Sequence, residues 1–461
     1  MTGISLLWLR RDLRLADQAA LVAAAAEGAV IPAYILDEDT PRHRAMAGAS
    51  RWWLHHSLGS LDRDLRRRGS RLILRRGKSA QLLTALAEEV GTRRVHALHH
   101  HEPWWRNAER EAGRHLDLCL HHGNYLLPPG ALTTGSGAPY RLFTPFLRAL
   151  WPHMPPASPV AAPECIAAPE AWPESERLED WGLLPRKPDW AKGFAGEWTP
   201  GEAGAQNRLA DFRAQAGGYE ARRNLPSEEG TSRLSPHLHF GEISPATIWH
   251  GLDGQQEGEG FASFRRELVW RDYAQNIIRA FPDHGRRNGK DRFDSLRWRD
   301  HRGEAAEDLA AWQSGRTGYP IVDAGMRQLW ASGWMHNRVR MIAASFLVKH
   351  LLIDWRVGES WFWDTLIDAD YAQNSVNWQW VAGSGHDANM FSRIMAPLTQ
   401  SEKFDAGDYI RRWVPELAHI DGPAVHDPDA HGCRPPDYPA KIIGHREGRE
   451  RALRAWSATK G

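Results

Sequence analysis

Between Ile4 and Leu127, short apolar runs of strand length alternate with longer stretches of helical periodicity. Ile4 to Leu9, Val30 to Leu36, Arg71 to Leu74, Val95 to Leu98 and Tyr125 to Leu127 read as strands. Asp17 to Glu27, Ser50 to Arg68, Lys78 to Val90 and Trp104 to His121 read as helices between them. Such alternation predicts a parallel sheet wrapped by helices. From about Pro128 to Pro200 the pattern dissolves into Pro, Ala, Gly and Glu, the composition of a connector. Beyond it strand patterns almost vanish. Phe261 to Ala280, Ile321 to Ser332, Val339 to Leu352 and Trp361 to Ala372 read as helices, so the second domain is expected to be all-α. The pattern divides the chain into an α/β domain over 1–130, a connector over 131–200 and a larger helical domain over 201–461. The Pro-, Gly-, His- and Arg-rich residues after about 420 are expected to be loop-like or poorly ordered.

Composition narrows the function classes. With 461 residues, 42% hydrophobic and 25% charged, the chain has the balance of a folded soluble protein of two or three domains. Lys and Arg number 58 against 57 Asp and Glu, so any polyanionic partner must be met by a local patch. Cys119, Cys165 and Cys433 are too few and too far apart for a disulfide framework, a zinc site or an iron–sulfur cluster. The apolar run at Ile4 to Leu9 ends at Arg10, Arg11 and Asp12, too short for a secretory signal, and no later run is long enough to span a membrane; a cytoplasmic protein is expected. No GxGxxG follows the first strand, and Gly77-Lys78-Ser79 lacks the Gly that a P-loop needs at position 72, which is Leu72. Twenty-three tryptophans are heavy use of the largest aromatic, for which core packing is the plain explanation.

Four segments carry chemistry. Thr231 to Pro236 gathers hydroxyls around Arg233 at a helix start, a combination that suits phosphate and equally suits a plain helix cap. Glu267, Trp270 and Arg271 fall at i, i+3 and i+4, where a carboxylate, an indole and a guanidinium share one face that can stack on a base, bond its edge and hold phosphate. Trp334 to Met341 sets Asn337 and Met341 one turn apart beside Arg338. Asp370, Asn374 and Trp378 form a stripe at i, i+4 and i+8 after Asp368. No third ligand at useful spacing makes a metal site of the aspartates, and His99 to His101 read as a strand end and its loop.

Taken in order, Thr231 to Ser235, Gly318 to Ala324, Trp334 to Met341 and Asp368 to Trp380 resemble the photolyase and cryptochrome family, most closely the bacterial photolyases that repair cyclobutane pyrimidine dimers. The likeness runs from Trp8 to Asp405. It implies a Rossmann-like N-terminal antenna domain and a helical domain that binds FAD. It assigns Tyr219, Thr231, Ser232, Leu234 and Ser235 to the cofactor phosphates, Asp368 and Asp370 to the ribityl and ring region, Asn374 to the flavin N5 and Arg340 to the flavin's side. Glu267, Trp270, Asn337, Arg338, Met341 and Trp380, with Arg271 beside them, are implied to receive the DNA lesion, and Glu267, Asn337, Met341 and Asn374 to act in its splitting. Trp378, Trp355 and Trp298 are implied to carry an electron from the surface to photoexcited, oxidised flavin.

The reading is therefore light-driven repair of dimer-containing DNA by a metal-free monomer in the cytoplasm, bound to the nucleoid while at work. A cryptochrome-type blue-light receptor is the alternative; the pocket set Glu267, Trp270, Asn337 and Met341 favours repair. Arg10, Asp12, Arg51, Glu102, Asn107 and Glu109 are candidate contacts for a second, antenna chromophore, methenyltetrahydrofolate or a deazaflavin among the choices.

Overall fold

A computed structural model describes residues 3–40, 43–253, 258–388 and 390–459. The chain divides into two compact units. The first comprises Met1–Trp190, Trp198–Ala216 and Ser232–Pro282; the second comprises Ala191–Glu197, Gly217–Thr231 and Asp283–Gly461.

The first unit is built on strands β1 (Gly3–Leu9), β2 (Gly28–Leu36), β3 (Ile73–Arg76), β4 (Arg94–Leu98) and β5 (Asp117–His121). They form one parallel sheet in the order β3-β2-β1-β4-β5. β1 is central and buried from Ser5 to Leu9, which is why its sequence is continuously apolar rather than alternating. β2 can start hard against β1 because Gly28 has φ +146° and a Cβ there would lie 2.3 Å from the Gly3 carbonyl oxygen. Helices α1 (Ala19–Glu27), α2 (Gly48–Arg67), α3 (Ser79–Glu89) and α4 (Pro103–Ala112) make the crossovers.

One strand was misread by pattern. Tyr125 to Leu127 is not a strand, and the fifth strand is Asp117–His121, inside the stretch read as the end of a helix. β5 lies at the sheet's edge with no residue buried, so its apolar signal is weak, whereas Leu126 is buried but its N–H bonds a carboxylate rather than a strand. The three histidines His99 to His101 follow the end of β4.

The same unit holds α5 (Phe143–Leu150), α6 (Glu202–Gln215), α7 (Ser235–Phe240) and α8 (Glu259–Ala280). Buried Glu242, just past α7, accepts Trp53 Nε1–H of α2 at 2.9 Å and faces His237 Nδ1 at 2.5 Å, and Glu202 at the start of α6 accepts the N–H groups of Leu15 and Ala16 at 2.7 and 3.0 Å. These bonds tie the later helices to the sheet layer.

All described strands lie in the first unit, and the second is helical. Its main elements are α9 (Pro320–Ser332), α10 (Asn337–Ser345), α11 (Trp355–Thr365), α12 (Tyr371–Ala382) and α13 (His445–Ser457). The stretch expected as a helix over 361–372 is two helices. Leu366 to Asp370 interrupts it, because Asp370 turns back to cap α12 by accepting the Gln373 N–H at 2.9 Å, as Asp354 caps α11 with the Arg356 N–H at 3.0 Å. The expected helix over 339–352 is α10 followed by a π-helical turn at Phe346–His350. Residues 427–444 are loop and turn, as expected, but they are tied down and followed by a helix that the pattern did not predict. Tyr438 donates its hydroxyl to buried Asp323 at 2.6 Å, Tyr319 donates to the Ile443 carbonyl at 2.8 Å, and α13 follows.

Candidate active site

In the first unit α8 carries Glu267, Trp270 and Arg271 on one face, as the spacing requires. Trp270 lies flat on Phe143 of α5, ring centroids 3.6 Å apart and planes 5° from parallel, and meets the Tyr273 ring edge-on at 5.5 Å. The indole orientation is thereby fixed from behind. Arg271 donates to the Asn124 carbonyl at 2.6 Å with its guanidinium 5.0 Å from the Tyr125 ring centroid, so this cation has protein partners of its own. Ser232 Oγ accepts the Leu234 N–H at 3.3 Å, Arg233 takes the left-handed φ of +52° over Trp198, and the chain enters α7 at Ser235 with Pro236 in its first turn. Leu234 is buried and Ser235 exposed.

In the second unit α10 begins at His336, whose Nδ1 accepts the Arg338 N–H at 3.2 Å. Burial, and then the nearby charges of Arg338, Arg340 and Arg223, push the His336 imidazole down to about 4, so it caps the helix uncharged at neutral pH. Asn337 at the first helical position is exposed; Arg338 and Met341 are half-buried. Arg338 donates Nε–H and Nη2–H to Asn224 Oδ1 at 3.2 and 2.7 Å and lies 4.5 Å from the Phe404 ring centroid. Burial, and then Arg223, lowers its pKa from 12.5.

Arg340 grips Asp368 fork-to-fork, Nη1 to Oδ1 at 3.1 Å and Nη2 to Oδ2 at 2.9 Å, while its Nε donates to the Met335 carbonyl at 2.7 Å. Asp368 and Asp370 thus divide their work: the first pairs with a cation, the second caps α12. On α12, Asn374 donates its amide to Glu359 twice, to the main-chain carbonyl at 3.0 Å and to Oε1 at 2.9 Å. Both N–H donors are committed, and the end of the amide left for a ligand is the acceptor Oδ1. One turn on, Trp378 is buried between Phe362 at 5.0 Å and Trp312 at 6.3 Å. Gly358 makes room for it, since a Cβ there would lie 2.2 Å from the indole. Trp380 is half-buried. Trp355 is fully buried with Nε1–H on Asn288 at 3.0 Å, and Trp298 is partly exposed. Tyr219 is buried beneath Arg223, and Thr231 is half-buried.

Two supporting residues had escaped sequence reading. Glu359 stands among the aromatic residues of α11, and a carboxylate at a buried helix position is the signal that could have found it. Asp272 adjoins Arg271 and is fully buried. Of the antenna candidates, Arg10 pairs with Glu109 at 2.7 Å, bonds the Leu98 carbonyl and lies 3.9 Å over the Trp8 ring, and Asp12 accepts the Arg10 N–H at 2.6 Å. Arg51 pairs with Glu38, and Asn107 accepts from Arg110 at 2.9 Å on the surface. Glu102 Oε2 and Trp8 Nε1 are buried without a hydrogen-bond partner among the described residues. Among those residues no group of three or more His, Cys, Asp or Glu could hold a metal ion, and no helix is long and apolar enough to cross a membrane.

Two family profiles match the chain. One, described as DNA photolyase, covers residues 5–164; the other, described as FAD binding domain of DNA photolyase, covers residues 264–458. The deoxyribodipyrimidine photo-lyase of Agrobacterium fabrum is 46% identical over 482 aligned residues, spanning 100% of this chain and 98% of that protein. Among solved structures, a bacterial class III photolyase from Agrobacterium tumefaciens superposes with a TM-score of 0.94 at 46% identity over 100% of this chain and 98% of that one. An archaeal photolyase from Sulfolobus tokodaii, containing two FAD molecules, superposes with a TM-score of 0.83 at 28% identity over 99% and 100% of the two chains.

Proposed function

Because the chain belongs to the photolyase and cryptochrome family, we propose that it is a deoxyribodipyrimidine photo-lyase, a light-dependent DNA-repair enzyme that splits cyclobutane pyrimidine dimers. The observation that carries this reading is the α12 stripe, where Asn374 keeps only an acceptor for a ligand and Trp378 is buried one turn away. That donor set fits FAD: Asn374 Oδ1 would accept from an N–H donor on the reduced ring system, and Arg340, whose charge Asp368 partly balances, would face the anionic ring. Tyr219, Thr231, Ser232, Leu234 and Ser235 would hold its phosphate and ribityl portions together with Asp370. When bound, fully reduced FAD supplies, on absorbing blue or near-UV light, the electron that opens a cyclobutane dimer.

The chain's own residues bind and orient the substrate. Trp270, backed by Phe143, and Trp380 offer flat faces to the two joined pyrimidines. Asn337 bonds a base edge, Met341 supplies a soft apolar wall, and Arg338, steadied by Asn224, holds phosphate with Arg271 nearby. A dimer is poorly stacked in the duplex, so extruding it costs a few kcal/mol at most. Glu267 hydrogen-bonds the dimer, and this bond strengthens as negative charge grows there, which favours the transition state over the ground state. Trp378, Trp355 and Trp298 run from buried to partly exposed and would carry an electron inward from the surface to an oxidised flavin. The enzyme works in the cytoplasm as a metal-free monomer.

The test is repair of dimer-containing oligonucleotide by FAD-loaded protein with and without blue light. Repair confined to the illuminated sample, with Glu267→Ala lowering the yield per absorbed photon at saturating lesion, is expected. Binding of lesion DNA without light-dependent repair would instead identify a receptor. The absorption spectrum of the purified protein shows whether methenyltetrahydrofolate or a deazaflavin accompanies FAD.

A further inference from the structure

The second half of α8 holds one segment of chain, Asn124 to Gly130, along successive turns. Arg271 donates to the Asn124 carbonyl at 2.6 Å. Asp272 Oδ2 accepts the N–H of Leu126 at 2.8 Å and of Leu127 at 3.2 Å. Asn276 Oδ1 accepts the Gly130 N–H at 2.7 Å, and Gly130, at φ +87°, leaves space that the Arg279 guanidinium fills: a Cβ there would lie 2.2 Å from it. The far end of this strap is rooted beside the sheet. Asn124 accepts from Arg14 Nη1 at 2.8 Å and donates to the Arg11 carbonyl at 2.9 Å, and Arg14 Nη2 donates to the Gly123 carbonyl at 3.0 Å.

Asp272 is the centre of the arrangement. It is 0% exposed, and its Oδ1 has no hydrogen-bond partner among the described residues, Arg271 Nη1 standing off at 3.9 Å. A carboxyl group buried in this way costs free energy that a Leu would not. What it provides is an acceptor for two main-chain N–H groups that no strand ladder serves. The residues on either side of it are fixed in turn, Trp270 on Phe143 and Tyr273 by its hydroxyl on the Arg141 carbonyl at 2.7 Å.

We propose that Asp272 is a positioning residue for lesion recognition: by fastening α8 to the strap at 124–130 it sets the height and rotation of the helix face that presents Glu267 and Trp270. The inference rests on the reading of those two residues as lesion contacts. Asp272 itself touches no substrate.

The experiment uses the full-length, FAD-loaded protein and three variants. Asp272→Asn keeps a side-chain oxygen for both N–H groups; Asp272→Leu fills the volume without an acceptor; Asn276→Ala releases only the Gly130 end. The readouts are affinity for dimer-containing and for undamaged oligonucleotide, FAD content, and hydrogen exchange at the Leu126 and Leu127 amides. Asp272→Leu should lower the ratio of damaged to undamaged affinity by about tenfold, as displacement of a recognition group by a fraction of an ångström does, with FAD content unchanged. Asp272→Asn should restore the ratio to within about twofold of the parent, the scatter expected of a substitution that keeps the acceptor. Faster exchange at Leu126 and Leu127 in Asp272→Leu with an unchanged affinity ratio would overturn the proposal, as would loss of the ratio in an Asp272→Asn protein whose amides stay protected. If Asp272→Leu fails to fold, Asn276→Ala decides: a lowered ratio supports the proposal and an unchanged one overturns it. Parent protein that neither prefers lesion DNA nor repairs it in light would undo the reading of the site itself, a result distinct from normal parent repair with indifferent variants.

Discussion

Asp272→Asn should make the protein's stability less sensitive to pH, and the size of the effect follows from burial. The Asp272 carboxyl is fully buried, which raises its pKa from 3.8 to about 7 against the opposing influence of the Arg271 charge and the Leu127 and Leu126 N–H groups. Between those values the unfolded chain is ionised while the native protein keeps its proton. The native state therefore binds one more proton than the unfolded state, and stability falls as pH rises, by about 1.4 kcal/mol per pH unit. The contribution is fully present below 3.8, is lost progressively up to about 7, and then levels off. Over that interval of about three pH units it amounts to ~4 kcal/mol. An amide does not titrate, so the stability of Asp272→Asn minus that of the parent should grow by that amount from about pH 4 to about pH 8. Urea unfolding of both proteins, each saturated with FAD and followed by circular dichroism at several pH values, measures the difference and cancels every group the two share. A difference that stays flat across the range would mean that Asp272 is ionised throughout, with Arg271 and the two N–H groups outweighing burial.

Other perturbations separate the roles assigned within the second unit. Asn374→Asp places a second carboxylate against Glu359 and removes the oriented amide, so fully reduced flavin should reoxidise in air several-fold faster; an unchanged reoxidation rate would detach Asn374 from the flavin. Trp378→Phe should cut light-driven reduction of oxidised flavin by about tenfold or more while leaving repair by chemically reduced protein within about twofold, since refilling and repair are separate steps. Equal loss of both would show that Trp378 is packing only. Arg338→Ala should weaken binding of damaged and undamaged DNA together and reduce the slope of log K against log salt by about one. An unchanged slope would mean that its charge is spent on Asn224 and Phe404 alone.

Most of the fold was legible because burial and hydrophobicity coincide. β1 and β2 are nearly continuous apolar runs, and α2 and α8 bury one face. Reading failed where the two part company. β5 is an exposed edge strand, and α13 buries only Gly448 and Ala452 among charged residues, so neither has an apolar signature. Leu126 has the burial of a strand residue without a strand partner, because Asp272, remote in sequence, takes its N–H. The apolar residues Leu366, Ile367 and Ala369 continue a helical pattern that the Asp370 cap breaks.

The candidate site divides along the same line. Residues proposed to meet a ligand stand out by type, since an Asn, a Met and an Arg within one turn of α10, or an Asp, an Asn and a Trp along α12, do not assemble a core economically. The residues that orient them do not stand out, because their evidence is a contact across sequence. Glu359 reaches Asn374 over 15 residues, Asp368 reaches Arg340 over 28, and Asp272 reaches Leu126 over 146. Each is a buried carboxylate that gives an acceptor to a donor elsewhere in its own unit; Asp368 stands out within its motif, whereas Glu359 and Asp272 would read as solvated charges in the linear chain. Burying such groups is unfavourable unless their geometry is used, so the placement of all three next to residues of the candidate site argues that orientation is what they supply. A substitution at Glu359 or Asp272 should accordingly disturb the site while altering none of the side chains that would touch flavin or DNA.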